Sequence, residues 1–124
     1  MIGYVTLGTN NLVETGKYYD ELFNVIGAVR IMADDHIILW AKKPGDAMFS
    51  IVTPFDGQKA TVGNGAMAAI AVDNLATIKK LYDKAIELGA ICEGEPGPRG
   101  DNGFCFGYVR DIEGNKMAFY SLKE

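Results

Sequence analysis

Apolar and polar side chains alternate from Ile2 to Gly8, with Val5 and Leu7 on one face and Tyr4 and Thr6 on the other, which predicts a half-buried strand. Thr9, Asn10 and Asn11 follow as capping residues, and Leu12, Tyr18 or Tyr19, Leu22, Phe23 and Ile26 then fall along one helical face that stops at Gly27. Three short strands are predicted next, Ala28 to Ala33, His36 to Ala41 and Ala47 to Thr53, with turns at Asp34-Asp35 and Lys43-Pro44-Gly45-Asp46. Pro54 to Asn64 reads as a short connector in which Phe55 and Val62 are available to pack. Beyond it come a strand at Ala66 to Val72, a helix at Leu75 to Leu88 and a short strand at Ala90 to Glu93. A Gly- and Pro-rich loop, Gly94 to Gly103, precedes two last strands, Phe104 to Arg110 and Lys116 to Leu122, joined by a tight turn over Asp111 to Asn115.

This pattern occurs twice. Asn11-Leu12 and Tyr19-Asp20 return as Asn74-Leu75 and Tyr82-Asp83, each 63 positions on, and the Gly27-Ala28 pair returns as Gly89-Ala90. The expected architecture is α+β, with two tandem βαβββ modules whose mixed sheets carry their helices on one side. Over residues 1–124 the expectation is one domain, with module one at 1–54, the connector at 55–64 and module two at 65–124, because a module of about sixty residues buries little surface alone. A sheet covered on one face only leaves the other for a ligand, and function is expected where the halves meet.

Composition narrows the classes. Apolar content of 48%, 23% charged residues and a mean hydropathy of +0.04 are those of an ordinary globule. No apolar stretch is long enough for a spanning helix and no signal segment opens the chain, so a cytoplasmic protein is expected, with no membrane partner. A net charge of −4 and scattered Lys and Arg argue against nucleic acid and mildly favour a cationic ligand. Cys92 and Cys105 form no paired motif and are expected to be reduced and buried. His36 is the one side chain with an unperturbed pKa near neutrality, and beside Asp34 and Asp35 it reads as a surface ion-pair partner.

The paired modules, the opening Gly3-Tyr4-Val5-Thr6-Leu7-Gly8-Thr9-Asn10-Asn11-Leu12, the Gly63-Asn64-Gly65 entry to the second half and the closing Arg110-Asp111-Ile112-Glu113-Gly114-Asn115-Lys116 resemble the vicinal oxygen chelate superfamily. This is the group of glyoxalases, bleomycin-resistance proteins and extradiol dioxygenases. The resemblance covers essentially the whole chain and implies a glyoxalase-like fold of curved sheets with outer helices, and a homodimer. Its most specific piece is the last turn, where Ile112 stands in place of the usual Pro. Catalytic members usually hold a divalent metal with His, Glu or Gln from the first and last strands of each module. The matching positions here are Tyr4, Ser50, Met67 and Ala118, none a usual ligand, so no metal and no other cofactor is expected.

Period-two alternation places Tyr4 with Thr6, Met67 with Ala69 and Ala71, Ser50 with Met48 and Val52, and Ala118 with Lys116 and Tyr120. The expected ligand-binding set is Tyr4, Trp40, Met48, Ser50, Met67, Arg99, Tyr108 and Tyr120, an aromatic and thioether lining suited to a flat or apolar small molecule. Met48, Met67 and the aromatics equally suit plain space-filling. Trp40 and Tyr108 join the lining only if their parity is inward. The Pro96 to Asp101 loop is the expected mobile element, able either to close over a ligand with Arg99 on an anionic group or to serve as a plain connector. No catalytic set can be assembled, so the readings are a metal-independent small-molecule binder, a lactoylglutathione lyase-like isomerase or lyase or a thiol transferase, and a structural or regulatory dimer module.

Overall fold

The computed structural model describes all 124 residues. The element order is β1 (Tyr4–Gly8), α1 (Leu12–Asn24), β2 (Val29–Ala33), β3 (Ile37–Ala41), β4 (Met48–Val52), β5 (Ala68–Ala71), α2 (Leu75–Glu87), β6 (Ile91–Pro98), β7 (Cys105–Arg110) and β8 (Lys116–Ser121). Each half is βαβββ, as the duplicated pattern predicts. The chain divides into two compact units, Met1–Asn64 and Gly65–Glu124. Their sheets run β1-β4-β3-β2 and β5-β8-β7-β6, each with one parallel pair, β1 with β4 and β5 with β8. No helix is long and apolar enough to cross a membrane.

The repeated Asn-Leu pairs are helix caps. The Asn11 side chain accepts from the Glu14 N–H at 3.1 Å, and Asn74 accepts from the Thr77 N–H at 2.9 Å, in each case satisfying a backbone donor that the first helical turn leaves free. Gly89 follows the second helix at φ +106°, a conformation closed to most L side chains.

In the first unit, Tyr19 and Phe23 of α1 pack on Trp40 and Phe49, with Tyr19 4.7 Å and Phe23 5.1 Å from the Phe49 ring centroid, and Leu22 is fully buried. Asp20 lies beside this cluster. It accepts two hydrogen bonds at 2.8 Å from the Arg30 guanidinium and one at 3.0 Å from Trp40 Nε1. In the second unit Ile78, Leu81 and Ala85 of α2 are fully buried, as are Val109, Met117 and Phe119 of the sheet. Gly107 permits close approach here, because a Cβ at this position would stand 3.2 Å from Ile78 Cγ2.

Three expectations are corrected. Neither Phe55 nor Val62 packs: Phe55 is fully exposed and Val62 is exposed, and the connector is instead held by Asn10, whose side chain bonds the N–H and carbonyl of Ala60 at 2.7 and 3.2 Å. Both cysteines are free, but only Cys105 is buried and Cys92 is exposed. The first half of the supposed loop from Gly94 is strand, since β6 runs to Pro98. It is an edge strand with register shifts between Cys92 and Gly94 and between Gly94 and Gly97, and edges and bulges are where Gly and Pro are tolerated in a sheet.

Candidate functional site

Each sheet has one face against its helix and one turned away. In the first unit, Trp40 pairs across the strands with Phe49, and both belong to the helix-side cluster. Trp40 is therefore core, 1% exposed, and does not line the open face. The neighbouring positions of opposite parity do so: Tyr4 is in register with Met48, and Thr6 with Ser50. Tyr4 is 55% exposed and Met48 partly so. Ser50, expected as a polar handle, is fully buried and its hydroxyl donates to the Val5 carbonyl at 2.5 Å, so its proton is committed to the fold.

The open face of the second unit is aromatic. Tyr108 stands across from Ala118, and Phe106 across from Tyr120. The Phe106 ring is stacked with Tyr108 at 5.7 Å and 3° and with Tyr120 at 5.6 Å and 17°, a ladder of three nearly parallel, partly exposed rings. Ala118, fully buried opposite Tyr108, keeps the middle of the face low. Gly94 does the same on β6, since a Cβ there would come within 2.9 Å of Tyr108 Cδ2. Met67, just before β5, is 44% exposed. Phe106 was absent from the sequence-derived set, although counting two residues back from Tyr108 would have found it.

Two cations stand over this ladder. Lys116 Nζ is 5.4 Å and the Arg99 guanidinium carbon 5.8 Å from the Tyr108 ring centroid. Arg99 is not a free fork on a moving loop. Its terminal nitrogens donate to the carbonyls of Glu95 at 2.6 Å, Gly97 at 3.0 Å and Pro98 at 3.2 Å, and its own N–H bonds the Phe104 carbonyl at 2.8 Å. Its charge stays over Tyr108 while its donors tie the end of β6. Beside it, Arg110 Nε donates to Glu93 at 2.5 Å, which holds the Glu93 carboxyl below its ordinary range.

His36 takes no part in this face and is not ion-paired. Its Nδ1 is 3.2 Å from the Thr53 hydroxyl, while Asp34 accepts from the backbone N–H groups of His36 and Ile37, which lowers the Asp34 pKa. The hydrogen bond between the Cys92 thiol of β6 and Tyr82 of α2, together with desolvation, pushes that phenol up to about 12, so it stays protonated.

The four positions where the resemblance would place metal donors supply a phenol at Tyr4, a committed hydroxyl at Ser50, a thioether at Met67 and a methyl at Ala118. No three His, Cys, Asp or Glu side chains are grouped to hold a metal ion. A first-row divalent ion needs about three imidazole, carboxylate or thiolate donors, and these residues do not fit one.

A two-module βαβββ arrangement of mixed sheets defines a glyoxalase-like fold, and comparison of structures agrees. The chain superposes on a glyoxalase/bleomycin resistance protein from Albidiferax ferrireducens with TM-score 0.87 and 31% identity, covering 98% of each chain. It is also similar to a glyoxalase/bleomycin resistance protein/dioxygenase family enzyme from Burkholderia phytofirmans (TM-score 0.76, 18% identity, 97% of each chain). A glyoxalase-related enzyme from Fulvimarina pelagi shares the fold as well (TM-score 0.74, 20% identity, 98% of this chain and 87% of that one). The protein belongs to the glyoxalase/bleomycin resistance family, within the vicinal oxygen chelate superfamily. No protein-family model and no curated protein matches the sequence.

Proposed function

We propose that the protein binds a small aromatic molecule without a metal, on the open face of the second sheet. The observation that carries this reading is the ladder of Tyr108, Phe106 and Tyr120, three partly exposed parallel rings on a face with small residues at Ala118 and Gly94. Rings left partly in water on a rigid sheet offer their edges to a flat ring laid across them, an edge-to-face contact worth about 0.5–1.5 kcal/mol per aromatic pair beyond the area buried. Metal independence is supported by the donor types at Tyr4, Ser50, Met67 and Ala118. Tyr4, Met48 and Met67 stand as secondary candidates for ligand contact on their own units.

We also infer a cytoplasmic homodimer. Two free cysteines suit a reducing compartment. Val29 and Met32 on the edge strand β2, and Ile91 on the edge strand β6, are exposed apolar side chains of the sort that a second copy covers.

Elemental analysis and native mass spectrometry on protein purified without added ligand test these readings together. The expected result is a dimer mass with substoichiometric metal and a retained organic molecule. Stoichiometric Zn, Ni, Mn or Fe would overturn metal independence, and a monomer mass the dimer.

A further inference from the structure

The aromatic face of the second unit carries a charge opposite to that of the protein. The whole chain is −4, yet the cations over or beside the ladder are Arg99, Lys116 and Arg110, and the one carboxylate paired with them is Glu93. Neither Arg99 nor Lys116 takes part in a salt bridge, although Lys116 adds to Arg110 in lowering the Glu93 pKa, and the acceptors around Arg99 are neutral carbonyls. The Glu95 carboxylate forms no salt bridge with either of them. Rings that stack face to face leave their hydrogen-bearing edges outward, and those edges are the positive part of the ring quadrupole. Ring edges and the excess of three cations over the one paired carboxylate act in the same direction.

We infer that the ligand of this face is a planar aromatic anion, an aryl carboxylate or sulfonate whose ring lies against Phe106, Tyr108 and Tyr120 and whose acid group meets Lys116. This rests on the proposed aromatic-binding function and adds its charge selectivity. It reverses the expectation from net charge, under which a cationic ligand is favoured. Lys116 is the direct partner, because its ammonium is a mobile point charge with three donors, whereas the terminal N–H groups of Arg99 are already engaged by carbonyls and contribute charge alone.

The test is a titration, followed by calorimetry and by NMR of the Phe106, Tyr108 and Tyr120 rings, with three probes of one ring system: 2-naphthoate, 2-naphthylmethanol and 2-naphthylmethylammonium. The expected order is naphthoate tightest and the ammonium weakest. Lys116→Gln should weaken naphthoate about three- to fivefold, the range of a single exposed ion pair, and leave naphthylmethanol unchanged. Increased salt should reduce the naphthoate preference in the wild type. Equal binding of all three probes, or preference for the ammonium, overturns the anion inference and leaves the aromatic-binding function standing. Absence of ring shifts with any probe overturns both. If Lys116→Gln changes the association state and not naphthoate affinity, the face is covered by a second copy and the inference also falls.

Discussion

Asp111 shows how a motif shared with a family can be structural. Its Oδ1 accepts from the N–H groups of Glu113 and Asn115 at 2.8 and 2.9 Å, Oδ2 accepts from Asn115 Nδ2 at 3.3 Å, and both residues are buried. The turn therefore fixes the register of β7 with β8, and so the pairing of Tyr108 with Ala118. Asp111→Ala removes the carboxylate that accepts from two backbone N–H groups of the turn and should cost about 2 kcal/mol, read as a lower urea midpoint at unchanged slope. This turn was evident in sequence because its chemistry is local. Trp40 was not, because its parity depends on the far end of a strand. Trp40 pairs with Phe49 as Val109 pairs with Met117, so its counterpart is Val109 and not Tyr108.

Helix caps and strand edges repeat that contrast between neighbouring residues. Asn74→Ala removes an acceptor at the start of α2 and should cost about 1 kcal/mol in chemical denaturation, where Asn74→Asp should cost little. The caps, both helices and the eight strands follow from periodicity and capping chemistry, to within a residue or two at most ends. β6 resisted, because Gly94, Pro96, Gly97 and Pro98 are the composition of a loop and become a strand only as a bulged edge beside β7. Gly94 also makes a functional prediction. Gly94→Ala places a methyl 2.9 Å from Tyr108 Cδ2, so the ring must move. The variant should fold with altered Tyr108 ring resonances and weakened binding of naphthalene probes, and unchanged affinity would remove Tyr108 from the site.

Across the chain, charge is where sequence was least informative. Arg99, Arg110 and Lys116 are separated along an acidic chain, and only the pairing of β6, β7 and β8 gathers them on one aromatic face. The Arg110–Glu93 pair predicts an acid-side dependence. The Glu93 pKa is lowered in the folded state by Arg110, so its contribution is present above the ordinary value of 4.5 and is lost as pH falls through the lower folded value. The urea midpoint should decline with acidification from about pH 4.5 downward, and Glu93→Gln should flatten that part of the decline.

In the function proposed above, this glyoxalase-family chain binds an aromatic ligand on the open face of its second sheet without help from a metal. The most direct measurement is an NMR titration of EDTA-treated protein with 2-naphthoate, following the ring resonances of Phe106, Tyr108 and Tyr120. Saturable shifts confined to these rings and their neighbours, unaltered by added Zn or Ni, are predicted. Shifts that appear only after metal is restored, or that arise elsewhere on the chain, would contradict it.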